Sequence, residues 1–179
     1  MVAVYIAGGL AGLVVVMALI GLVLPRDHLN ARTAVLARPP DDVWRAISRV
    51  EDHVGWRRGL KQIEALPAVD GKPSYRERTS QGNFVLVVEV DQPPALRITR
   101  MDDRGQPFGG RWIYELAPDG EGTRLTITED GFVKNPVFRF LWKTVIPQAA
   151  TLEKFLADLG KHLGVTATPA PAPPSRHAD

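Results

Sequence analysis

The first twenty-four residues, Met1 to Leu24, carry no ionisable side chain except Tyr5, and this stretch constrains the architecture more than any other. As a helix rising about 1.5 Å per residue it is about 36 Å long, enough for a hydrocarbon core of about 30 Å. Gly8, Gly9, Gly12 and Gly21 do not oppose this, because glycine is common in membrane helices. A cleaved secretory signal needs a basic start, a shorter apolar run and a small-x-small cleavage site. Here no Lys or Arg precedes the run, and Pro25-Arg26-Asp27-His28 follows it directly. The expectation is an uncleaved, single-pass transmembrane anchor over residues 1–25. Arg26, Arg32 and Arg38 all lie on its C-terminal flank, so the positive-inside tendency places the following domain in the cytoplasm. Gly8-x-x-x-Gly12 has the spacing of a helix-dimer face, a pattern that chance also produces often.

The rest divides into a domain over residues 26–164 and a Pro/Ala-rich tail over 165–179, TATPAPAPPSRHAD at its end, expected to be disordered because it cannot build a core. Roughly 135 residues between anchor and tail suffice for one core. The formal charge is +2, from 22 basic and 20 acidic side chains. That balance argues against nucleic acid, whose binding normally leaves a concentrated basic face. The chain has no cysteine, which removes thiolate catalysis, disulfides and cysteine-ligated metals. His28, His53, His162 and His177 are scattered without metal-ligand spacing, and no P-loop, Gly-x-Gly-x-x-Gly or Gly-x-Ser-x-Gly sequence is present. Neither a metal nor another cofactor is expected.

Within the domain, Ala31–Arg38 alternates as a strand, and Pro39-Pro40 ends it. Asp41 or Asp42 is placed to cap a helix carrying Val43, Trp44, Ile47 and Val50 at helical spacing. A weak second helical piece follows at His53–Arg58. Five more strand-like runs come next, Leu60–Leu66, Ser74–Thr79, Asn83–Val90, Leu96–Met101 and Arg111–Leu116, and Thr123–Glu129 completes the set. Their short connections favour antiparallel hairpins. Pro136 to Leu163 then reads as one long amphipathic helix, with Asn135 as N-cap, a break near Pro147 and a stop at Gly164. The fold class is α+β, a curved antiparallel sheet of about seven strands around a C-terminal helix.

Three stretches carry a family resemblance: Ala37-Arg38-Pro39-Pro40-Asp41-Asp42-Val43-Trp44 at the strand-to-helix entry, Trp56 with Leu60-Lys61-Gln62-Ile63-Glu64 at the return, and Glu129-Asp130-Gly131 with Lys134-Asn135-Pro136-Val137-Phe138-Arg139-Phe140 before the last helix. In these the chain resembles the SRPBCC, or START-like, helix-grip superfamily, which includes START lipid-transfer domains, the birch-pollen allergens and bacterial polyketide cyclase/dehydrase-type proteins. The resemblance spans Asn30 to Leu163. It implies a hydrophobic-ligand pocket between sheet and last helix, with binding commoner than catalysis, and it carries over no catalytic residue.

Strand alternation puts Phe84, Leu86, Val88 and Val90 on one face, sets Arg97 and Thr99 opposite Leu96 and Ile98, and groups Trp112, Tyr114 and Leu116. With Tyr75, Glu77 and Glu129 from the sheet, Trp56 from the helix-to-strand return, and Leu141, Val145 and Leu152 from the helix, these give the expected lining: Trp56, Tyr75, Glu77, Phe84, Leu86, Trp112, Tyr114, Glu129, Leu141, Val145 and Leu152. The competing reading is that the aromatics fill core while Glu77 and Glu129 sit at wet strand ends. Arg57-Arg58 and Lys61 form a small basic cluster that fits either anionic headgroups or a solvated helix end. Three functions remain open. One is a membrane-anchored binder of a small hydrophobic or lipid-like molecule. A second is a cyclase/aromatase-like enzyme in which Tyr75, Tyr114 or Glu129 moves a proton. The third is an interaction module whose own side chains fill the gap. The expected partners are the bilayer and the apolar ligand; no protein partner is legible.

Overall fold

The structure is a computed structural model and describes residues 1–147 and 149–175. Helix α1 spans Val2–Val23, and its stretch Tyr5–Val23 is long and apolar enough to cross a membrane. Strand β1 (Asp27–Leu36) starts four residues earlier than the alternation indicates. Helix α2 (Pro40–Ser48) and a 3-10 turn (Val50–Gly55) follow. The remaining strands are β2 (Leu60–Val69), β3 (Lys72–Thr79), β4 (Asn83–Gln92), β5 (Leu96–Met101), β6 (Phe108–Asp119) and β7 (Gly122–Val133). They pair antiparallel in the order β2-β3-β4-β5-β6-β7-β1, so the first strand closes on the last.

The expected long helix is two. Helix α3 (Pro136–Thr144) and helix α4 (Ala150–His162) are separated around Pro147, whose ring cannot sit inside a helix. Asn135 caps α3, its side chain accepting from Phe138 N at 3.0 Å. Gly164 (φ +70°) ends α4 in a left-handed turn, with Val165 N donating to Gly160 O and Gly164 N to Lys161 O. Neither Asp41 nor Asp42 caps α2. Pro39 is the cap residue and the two aspartates lie in the first turn, where the helix dipole favours them.

Leu152, Phe155, Leu156 and Leu159 form one face of α4 and pack on Ala34, Leu36, Tyr114, Leu116, Leu125 and Ile127 of the sheet. Burial of each such side chain contributes about 2 kcal/mol. Several arginines of the sheet are paired with carboxylates: Arg76 meets Glu64 at 2.9 Å, Arg100 meets Glu89 at 2.6 Å, and Arg111 meets Asp130 at 3.4 Å.

The tail is not free over its described part. Ala170–Pro171 forms a short strand, β8, on β1, and Val165 and Ala167 pack against the core. Ala172 N then donates to Ala31 O, and Ser175 N to Thr128 Oγ1. The physical reason is a row of side chains across the outer face, Ile98, Ile113, Thr128 and Ala31, paired strand to strand and all nearly inaccessible. The tail covers the β1 end of that row. Residues 176–179, with His177, lie outside the described residues.

Candidate functional site

Pairing registers fix which side chains face the helices. Trp112 and Tyr114 belong to the helix-facing core, and the residues opposite them share that face. Thr99 and Arg97 on β5 and Glu129 and Ile127 on β7 are therefore inward. Asn30 opposes Glu129, and Tyr75 and Glu77 oppose Leu86 and Phe84. Two expectations are corrected. Ile98 points outward and Arg97 and Thr99 point in, against the apolar pattern. A β-bulge between Val88 and Val90 then pairs Val90 with outward Ile98, so Val90 leaves the face of Phe84, Leu86 and Val88.

At the centre of the gap sits Phe155. Its ring lies 5.4 Å from Trp56 and 5.7 Å from both Trp112 and Tyr114. Leu152 is wholly buried beside it. The aromatics expected to line a cavity thus fill this part of it. Two surface depressions, of about 330 and 360 Å³, lie away from this gap, one beside Ala95 and Glu115, the other between Arg38 and His162.

Around Phe155 is a buried polar group. Arg57 Nη1 donates to Glu77 Oε1 at 2.5 Å and its guanidinium stacks 5.4 Å from the Phe155 ring. Arg58 bonds Asp158 at 2.5 Å. Arg57 and Arg58 therefore tie the return loop to the sheet and to α4, Arg58 with its side chain still 68% exposed, and Glu77 is at no wet strand end. Burial opposes the Arg57 charge, but Glu77 outweighs it and lifts the guanidinium above its usual value. His53 accepts no proton there: burial, then the Arg57 charge, push it down to about 3. Burial drives the Tyr75 phenol far up and takes Tyr114 to about 12, so neither tyrosine ionises near neutrality.

A second polar group lies towards α3. Trp112, Glu129 and Asn30 stand opposite one another on β6, β7 and β1. One step nearer the strand ends, His28 lies over Gly131, where a Cβ would meet its ring at 2.5 Å, and its ring is 5.2 Å from Trp142 of α3. Gly110 (φ +147°) on β6 allows the strands to approach this closely; a Cβ there would sit 2.5 Å from Asp130 O. The Trp112 side chain hydrogen-bonds the Glu129 carboxylate, yet burial dominates and raises Glu129 to about 7. Burial and the nearby Lys143 charge both lower His28. Glu129 Oε2, Asn30 Nδ2, His28 Nδ1 and Trp142 Nε1 are all buried without a hydrogen-bond partner. Such atoms are rare and costly unless something satisfies them.

Of the expected lining residues, Tyr75, Glu77, Trp112, Tyr114 and Glu129 face the gap. Phe84 reaches the α3 end through Phe108, 5.8 Å away, which in turn stacks on Phe138. Leu86 shares the Tyr75 face and Leu141 is half-buried on α3. Trp56 packs between His53, Phe155 and His162. Val145 is corrected: it follows the end of α3 and is 67% exposed. Sequence reasoning missed Asn30, His28 and Trp142. Asn30 and His28 precede the strand that the alternation indicates at Ala31, yet continuing that alternation back from Ala34 through Arg32 places both inward. Among the described residues no group of three His, Asp or Glu side chains could hold a metal.

Residues 30–164 match the family described as polyketide cyclase/dehydrase and lipid transport. The chain belongs to that family. Solved structures share the family fold at low identity. A START superfamily protein from Mycobacterium smegmatis is 21% identical with a TM-score of 0.61, over 76% of this chain and 97% of that one. Norcoclaurine synthase from Thalictrum flavum is 11% identical with a TM-score of 0.61, over 76% and 93%. The di-domain ARO/CYC StfQ from the steffimycin biosynthetic pathway is 14% identical with a TM-score of 0.59, over 78% of this chain and 53% of that one. No curated protein sequence matches the chain.

Proposed function

We propose that this family member is a membrane-anchored binding protein for a small amphiphile, with α1 as the anchor and the domain on the cytoplasmic side. One observation carries the reading: four buried polar atoms on β1, β7 and α3 converge without partners beside an apolar aromatic gap. Asn30 Nδ2 and Trp142 Nε1 are donors, and Glu129 accepts when ionised and donates when protonated. That set fits an uncharged hydroxyl or carbonyl head better than a second carboxylate, which would face Glu129. The alkyl part replaces contacts now made by Phe155 and its aromatic neighbours, and each buried methylene contributes about 0.8 kcal/mol.

Photolabelling tests this. A long-chain alcohol bearing a diazirine is added to the full-length protein in lipid nanodiscs, irradiated, and the adducts mapped. Adducts on the Trp112, Glu129 and Leu141–Trp142 peptides are expected, reduced in Asn30→Leu. Labelling restricted to α1 would refute the assignment.

A second reading rests on Glu129 alone. A carboxyl poised at about 7 beside a carbonyl-binding site is suited to general acid or base work, as a cyclase requires. Turnover of a carbonyl amphiphile with a pH inflection near 7, lost in Glu129→Gln, would select it.

A further inference from the structure

The face of α1 that is shielded is confined to its C-terminal end. Met17, Ala18, Gly21 and Leu24 are covered to varying degrees, while Tyr5 to Val16 are exposed. The element packed there is α3. Contact is close at Gly21, where a Cβ would stand 1.9 Å from Pro136 O. Arg139 locks the joint. It is 2% exposed and donates to Gly21 O of α1 at 2.8 Å and to Leu24 O just beyond it at 3.3 Å, and to Val133 O and Lys134 O of the domain. A cation on the last carbonyls of a helix opposes the negative end of its dipole.

This joint has a consequence for depth. Six residues separate Met17 from Val23, about 9 Å along a helix axis. If Val23 marks the hydrocarbon edge, a helix lying on Met17 to Leu24 cannot stand clear of the bilayer. The composition of α3 suits that position. Val137, Phe140 and Leu141 are half-buried, Val145 just beyond is exposed, and Lys143 is a residue type whose charged end reaches the headgroup level. Arg26 and Lys134 lie exposed at the same end.

We propose that α3 is an interfacial helix seated in the headgroup layer, so that the polar group beneath Trp142 opens sideways into the bilayer and its amphiphile enters from lipid. This rests on α1 spanning the membrane and deepens the binding reading. The chain has no cysteine, so single cysteines can carry nitroxides without background. The full-length protein is labelled in vesicles of phosphatidylcholine and phosphatidylglycerol at Leu13, Leu141, Val145 and Val54, and collisions with oxygen and with a water-soluble nickel chelate are measured. Leu141 and Val145 are expected to favour oxygen, as Leu13 does, while Val54 on the 3-10 turn favours nickel. Water-like values at Leu141 and Val145 with lipid-like Leu13 would overturn the proposal and leave the anchor standing. Water-like Leu13 would remove anchor and proposal together, and a lipid-like Val54 would overturn it by showing contact not confined to α3. No ligand enters the measurement, so its failure is separable from failure of the photolabelling. Gly21→Leu, which must push Pro136 away, is expected to shift the Val145 label towards nickel while circular dichroism of the sheet is retained; an unchanged label would show that the joint does not set the depth.

Discussion

Replacing Glu129 by glutamine isolates the strain at the candidate site. The carboxyl has its pKa raised from 4.5 to about 7 because burial disfavours its charge. In the folded state it therefore holds a proton that the unfolded chain releases between those values. Stability from this group is full below pH 4.5 and falls as pH rises through 7. The difference between 4.5 and about 7 corresponds to roughly 3 kcal/mol at 1.36 kcal/mol per pH unit. Glutamine carries no charge and keeps the shape. Glu129→Gln should be nearly neutral at pH 4 and more stable than wild type by roughly 3 kcal/mol at pH 8, a rise of about 6–12 °C in melting temperature for a domain of this size. Thermal and urea unfolding of the full-length protein in micelles at both pH values measure this. Only the difference between the two proteins is interpreted, since His28 and His53 titrate in both. A difference that is the same at pH 4 and pH 8 would refute the burial argument.

Three further outcomes follow from the packing. Arg57→Ala leaves Glu77 buried and unpaired and should destabilise by about 3–5 kcal/mol, with partial recovery in Arg57→Ala/Glu77→Gln by urea unfolding. His53 is neutral when folded because its pKa is lowered to about 3, so the unfolded chain binds the proton first as pH falls below 6.5. Wild type should lose stability between pH 6.5 and 3, and His53→Gln should flatten that limb; identical acid limbs would exclude His53 as its source. Deleting residues 169–179 removes β8 and uncovers Ala31 and Thr128, which should cost roughly 1–2 kcal/mol and increase dye binding to the exposed β1 edge.

Much of the architecture is legible in the chain because local chemistry fixes it. Asn135-Pro136 starts α3, Pro147 divides the helical stretch and Gly164 ends α4, each through a backbone restriction that any fold would respect. Alternation likewise identifies Trp112, Tyr114 and Leu116 as one face. It fails where a face must be assigned across strands. Ile98 looks like core for the helix, yet the outer face has its own inaccessible row, and Arg97 goes inward where Asp91 meets it at 2.6 Å. The bulge at Val88–Val90 is invisible in a plain strand pattern. The tail shows the same limit: its composition forbids a core of its own but says nothing about docking on another. Asn30, His28 and Trp142 gain meaning only from register and from the turn of α3 over the sheet, which are long-range facts.

Native mass spectrometry of the full-length protein released from nanodiscs tests the central claim most directly. A retained uncharged amphiphile at one per chain is expected, diminished by Asn30→Leu and by Trp142→Phe, both of which remove a donor from the unpartnered set. Protein recovered empty in every preparation, or adducts unchanged by either substitution, would contradict it.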